Sequence, residues 1–126
     1  MTIKFYVCKH CGNMIAFLEN SGVPVICCGE EMSEQIPQTA DSTKEKHVPV
    51  IDIEKNKVTV TVGSVDHPMI EEHFIKWICL QTKQGNQRKF LNPGEKPSAV
   101  FLVTEGDEVE AAYEYCNIHG LWKATV

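Results

Sequence analysis

Lys57-Val58-Thr59-Val60-Thr61-Val62 alternates polar and apolar positions with a period of two, the repeat of a strand that turns one face to a core. Valine and threonine also favour extended backbone, so a strand is predicted there. Val48-Pro49-Val50-Ile51-Asp52-Ile53 precedes it, and Glu54-Lys55-Asn56-Lys57 makes a polar hairpin connection. Further along, His73 to Gln81 reads as a strand with His73, Ile75, Trp77 and Cys79 on one face. Ser98-Ala99-Val100-Phe101-Leu102-Val103 suits a strand buried on both sides, and Glu108 to Tyr115 gives another. Pro68, Pro93 and Pro97 with Gly63, Gly94 and Gly106 punctuate these runs, and no window holds a helical period. Several short strands separated by turns predict an all-β chain, with an antiparallel sandwich of roughly seven strands in this region.

The first 36 residues are patterned differently. Phe5-Tyr6-Val7 and Met14-Ile15-Ala16-Phe17-Leu18 flank a cysteine pair, and Asn20-Ser21-Gly22 is a turn signal between two short strands. A segment below ~40 residues cannot bury an adequate core and usually needs a metal or disulfides. Around Ile36-Pro37-Gln38-Thr39-Ala40-Asp41-Ser42 the sequence turns polar and aperiodic, which reads as a linker. The expected organisation is a metal-stapled module over 1–36, a linker over 37–42 and a β-sandwich over 43–126.

Composition narrows the classes. Hydrophobic residues make up 43% and charged residues 23%, a globular balance. No apolar run approaches the ~20 residues of a membrane-spanning helix, and the first residues carry no secretory h-region. Cytoplasmic residence is the default expectation. The formal charge of −5 argues against general nucleic-acid binding. It also means that any anionic substrate needs a local basic feature to draw it in. In a reducing cytoplasm the six cysteines read better as metal ligands than as disulfides.

Cys8-x2-Cys11 followed by the adjacent pair Cys27-Cys28 supplies four thiolates, enough for a tetrahedral site for zinc or iron. Neighbouring residues on an extended chain point in opposite directions, so binding through Cys27 and Cys28 requires a local distortion, which Gly29 eases. The alternatives are a purely structural zinc knuckle or disulfide pairing. His10, inside the knuckle, is expected to be exposed. Four histidines sit where predicted strands begin or end: His47, His67, His73 and His119, the last in Cys116-Asn117-Ile118-His119-Gly120. With Cys116 they offer five ligands. Structural zinc is almost always four-coordinate, so the count favours a metal of higher coordination such as iron, with a sixth position open. Cys79 is expected to be a buried apolar residue.

Taken together, these residues resemble the desulfoferrodoxin family, the two-iron form of superoxide reductase. Residues 1–36 resemble the desulforedoxin module, with Cys8, Cys11, Cys27 and Cys28 at its iron-ligand positions. Residues from about 43 onward resemble the family's immunoglobulin-like catalytic sandwich: Glu45-Lys46-His47-Val48-Pro49 matches its lysine-containing loop, His67-Pro68-Met69 with His73 its histidine pair, and Cys116-Asn117-Ile118-His119-Gly120 its C-terminal motif. The resemblance implies an enzyme that detoxifies superoxide by one-electron reduction to hydrogen peroxide, with two mononuclear irons per chain. His47, His67, His73 and His119 would be equatorial ligands of the catalytic iron and Cys116 its axial thiolate. It further implies a homodimer re-reduced by rubredoxin or a similar carrier. Lys46 is then the group that attracts the anion, and Glu45 the carboxylate that helps displace product. The N–H groups of Asn117 and Ile118 are expected to reach the Cys116 sulfur. Two rival functions remain: a superoxide dismutase, which also releases dioxygen, and a non-catalytic electron-transfer or metal-binding module.

Overall fold

The computed structural model describes residues 2–41 and 46–126. Among these there is no helix, and twelve short strands form antiparallel sheets. The chain divides into two compact units, Met1–Ile36 and Pro37–Val126.

In the first unit, β1 (Phe5–Val7) lies between β2 (Met14–Ala16) and β5 (Ser33–Gln35), while β3 (Ile26–Cys27) and β4 (Glu30–Glu31) form a two-residue hairpin. The turn between β3 and β4 places Cys28 (φ 53°) and Gly29 (φ 76°) in left-handed backbone. Glycine adopts this freely, whereas Cys28 is strained by about 1–2 kcal/mol.

The second unit has two sheets. One has the order β10 (Ser98–Leu102), β7 (Lys57–Val62), β6 (Pro49–Glu54); the other has β12 (Gly120–Thr125), β11 (Val109–Cys116), β8 (Ile75–Thr82), β9 (Asn86–Phe90). The alternation along β7 sends Val58, Val60 and Val62 inward with Ala99 and Phe101 of β10. They meet Ile75, Ile78 and Leu80 of β8 and Ala112 and Cys116 of β11 in one core. Each buried valine contributes about 1.5 kcal/mol or more. The β6–β7 hairpin pairs Glu54 with Lys57 across a two-residue turn, with Lys55 in left-handed backbone (φ 57°).

Three features depart from the sequence reading. β10 buries Ala99 and Phe101 but exposes Val100 and Leu102, so it packs on one face and not on both. The register between β8 and β11 skips a residue at Lys76: Trp77 faces Tyr115, but Ile75 faces Cys116. A bulge reverses the side-chain alternation at that point, so Ile75 joins Ile78 and Leu80 in the core, not Trp77 and Cys79. Gln38, in the stretch read as a linker, is paired in parallel with Trp122 of β12.

Candidate metal centres

In the first unit the four sulfurs of Cys8, Cys11, Cys27 and Cys28 lie within 4.8 Å of one another. Residue 4 is Lys4, exposed just before β1 and outside the cluster; its ammonium offers a metal no lone pair. The left-handed backbone at Cys28 lets adjacent cysteines turn toward the same point. The N–H groups of Cys11 and Asn13 donate to the sulfurs of Cys8 and Cys11, each at 3.5 Å, and the Asn13 amide donates to Cys27 at 3.7 Å. The Cys11 N–H is the leading cause that lowers the Cys8 thiol to about 6. Hydrogen bonding of the Cys28 thiol to the sulfurs of Cys11 and then Cys8 pushes it up to about 12. A cation among the four sulfurs would relieve that conflict, so the donor set fits a thiophilic metal. His10 is exposed and pairs with Glu30 at 2.7 Å, across the two cysteine-bearing turns.

The second cluster stands at one end of the sandwich. His47 precedes β6, His67 follows β7, His73 precedes β8, Cys116 ends β11, and His119 sits in the turn into β12. One ligating atom from each of the five lies within 4.8 Å of the others. His47 Nε2 and His119 Nδ1 are 3.1 Å apart, and the Cys116 sulfur is 3.7 Å from His67 Nε2 and 3.9 Å from His119 Nδ1. His67 Nδ1 lies 2.8 Å from the Pro68 carbonyl, which takes its proton and leaves Nε2 to face the cluster. Nitrogens this close repel if both carry protons, and they suit a shared cation. Cys116 is fully buried and His47 and His67 nearly so, while His73 is half-buried and His119 exposed. His119 is therefore the member of the cluster most open to solvent.

Backbone contacts hold the ring. The amides of Ile70 and His73 donate to each other's carbonyls at 3.0 Å, closing the loop between them. Asn117 braces the same loop: its Oδ1 accepts from Phe74 N at 2.9 Å, and its Nδ2 donates to the Glu72 carbonyl at 3.0 Å. The His119 N–H donates to the Cys116 sulfur at 3.5 Å. Asn117 N donates instead to the Phe74 carbonyl at 3.2 Å, because the turn directs it across to the β8 approach. Asp41 accepts from the amides of His47 (2.5 Å) and Val48 (3.1 Å). Trp122 stacks on His47 with ring centres 4.6 Å apart.

Lys46 is half-buried and adjoins His47, with its backbone against Gly63. Glu45 lies outside the described residues. Cys79 is buried, and burial pushes its thiol up to about 11. Sequence reasoning missed Asp41, Trp122 and the brace by Asn117. It also missed Glu114, an inward residue of β11 that is fully buried with no hydrogen-bond partner for either oxygen among the described residues. Burial, then the charge of Asp41, raises its carboxyl to about 9.

A two-sheet β unit with four imidazoles and a thiol converging at one end, preceded by a small module with four converging thiols, defines a class of all-β chains with two clusters of metal-ligating side chains. The Desulfoferrodoxin family model matches residues 39–125. The chain is 49% identical over 121 residues to a desulfoferrodoxin of Nitratidesulfovibrio vulgaris, covering 96% of this chain and 94% of that one. It is 37% identical over 112 residues to a superoxide reductase of Pyrococcus horikoshii, covering 75% of this chain and 97% of the relative. The crystal structure of a superoxide reductase from Treponema pallidum superposes with a TM-score of 0.85 at 36% identity, over 98% of each chain. The chain belongs to the desulfoferrodoxin family.

Proposed function

We propose that this chain is a superoxide reductase. His47, His67, His73, Cys116 and His119 hold its catalytic iron, and Cys8, Cys11, Cys27 and Cys28 hold a second. The observation that carries the reading is the convergence of four imidazoles and one thiol from five separate chain positions. An iron held by those five residues would supply the one electron with which superoxide, taking up two protons, becomes hydrogen peroxide.

The chain's own residues set the conditions. The buried Cys116 provides a thiolate on the interior side, and the exposed His119 edge leaves a path for a small anion and for water. Lys46, next to His47, supplies the attractive charge. At ~4 Å a unit charge is worth about 1 kcal/mol in bulk water and several times that near a low-dielectric surface. That outweighs the diffuse repulsion of a chain with net charge −5, which salt screens beyond ~8–10 Å. Glu45 is assigned to product displacement, and rubredoxin or a similar carrier to re-reduction. The chain acts as a homodimer in this reading.

A superoxide pulse on the reduced protein tests it, with dioxygen and peroxide measured together. One peroxide per superoxide and no dioxygen is expected. Half an equivalent of dioxygen would mark a dismutase, and no consumption at all a non-catalytic module.

A further inference from the structure

The imidazole of His119 belongs to the most solvent-exposed of the five residues, at the end of the three-residue turn between β11 and β12, and its neighbours are the rings of His47 and His73 and the Cys116 sulfur. Its backbone is nevertheless held tightly. The His119 carbonyl accepts two side-chain donors, Gln38 Nε2 at 2.8 Å and Trp122 Nε1 at 3.2 Å. These donors come from chain positions far apart, and the fold makes them neighbours. Gln38 is bridged to Trp122, with its N–H donating to the Leu121 carbonyl and its carbonyl accepting from Lys123, both at 2.9 Å. Trp122 is itself buried, and its ring lies nearly parallel to that of His47, at 13°. One indole thus touches two members of the cluster: its N–H fixes the backbone of His119 and its face fixes the plane of His47. Three residues beyond Gln38, Asp41 takes the amide of His47, so the same short segment is tied to both histidines.

We propose that Gln38 and Trp122 form a clamp that positions His119 and His47, and thereby governs how long the five-residue cluster retains its iron. Both are positioning residues, since neither offers the cluster a ligating atom. The inference rests on the reading of that cluster as an iron site. Partners that orient metal ligands typically change metal affinity about 10–100-fold when removed. Two donors converge on one carbonyl here, so loss of both is expected at that scale and loss of one is expected to be smaller.

The test uses the reduced, iron-loaded full chain, challenged anaerobically with a ferrous chelator. Gln38→Met removes one donor while keeping length, Trp122→Phe removes the other while keeping a ring on His47, and Trp122→Leu removes donor and ring. The four-cysteine site serves as the control within each molecule. Iron release from the His/Cys cluster is expected to accelerate about 10-fold or more in the Gln38→Met/Trp122→Phe double variant. It should accelerate further with Trp122→Leu, with release from the four-cysteine site unchanged. The optical spectrum of the oxidised His/Cys site should shift as well. Unchanged release in the double variant, or equal acceleration at both sites, overturns the clamp. Absence of iron from the cluster in the unaltered protein overturns the reading of the site, and the clamp's role with it.

Discussion

Gly63 closes β7 against the segment that carries Lys46 and His47, and Gly63→Ala tests how tightly that segment is held. The residue is buried, with φ +80°, and its N–H donates to the Val48 carbonyl at 3.3 Å. A Cβ there would collide with the Lys46 carbonyl oxygen and would stand 2.7 Å from the Val65 carbonyl and 2.8 Å from Lys46 Cβ. Two of these three neighbours are backbone, which cannot rotate away. Left-handed backbone costs a non-glycine residue about 1–2 kcal/mol, and overpacking about 1–3 kcal/mol more. The sum, about 2–5 kcal/mol, is a large part of the ~5–15 kcal/mol that holds a domain together. For a unit of this size each kcal/mol lowers the melting temperature by at least ~4 °C, so Gly63→Ala should melt at least ~8 °C lower by circular dichroism. The displaced strand entry should also loosen His47, so iron retention at the His/Cys cluster falls while the four-cysteine site keeps its metal. A melting temperature within ~2 °C of the parent, with both sites retained, refutes the reasoning.

Lys46→Ala should slow the second-order reaction with superoxide about fivefold at low salt, the equivalent of about 1 kcal/mol, and flatten its ionic-strength dependence; stopped-flow spectroscopy reads both. Glu114 has a folded pKa of about 9 against a reference of 4.5, so below pH 4.5 both states are protonated and its stabilising share is complete. Between those values only the unfolded chain releases the proton, and stability falls by up to ~1.4 kcal/mol per pH unit. Glu114→Gln in the metal-free protein should therefore be the more stable at pH 7, by up to about 3 kcal/mol, and gain nothing at pH 4; equal gains at both pH values in urea titrations would contradict this. Cys79, buried with its thiol raised to about 11, should resist iodoacetamide at pH 8 in the metal-loaded protein and react on unfolding, as peptide mass spectrometry would show.

Much of the fold is written in local pattern. Val58, Val60 and Val62 announce β7 because burial on one face demands a period of two. β9 was not visible: Asn86-Gln87-Arg88-Lys89-Phe90 is exposed throughout, so no burial pattern marks it, and it is held by pairing to β8. The bulge at Lys76 was equally silent, since an extra residue shows only when the partner strand is known. The residues that meet at the sandwich end stand out by type, because histidine and cysteine are scarce and fall at strand boundaries. Their supports do not. Asp41 acts on backbone amides, Trp122 on a carbonyl and a ring face, and Asn117 on the opposite side of a loop. Such contacts join distant positions and leave no motif. Glu114 is hidden for a different reason: a carboxylate in a strand reads as solvent-facing, and only its fully buried place on the inner face of β11 reveals it.

X-ray absorption at the iron edge addresses the coordination directly. With Cys8→Ser and Cys11→Ser emptying the first cluster, the chain should bind one iron whose shell contains one sulfur and four imidazole nitrogens. The sulfur scattering should vanish in a further Cys116→Ser variant. An iron shell without sulfur, fewer than four imidazoles, or no bound iron at all would contradict the account.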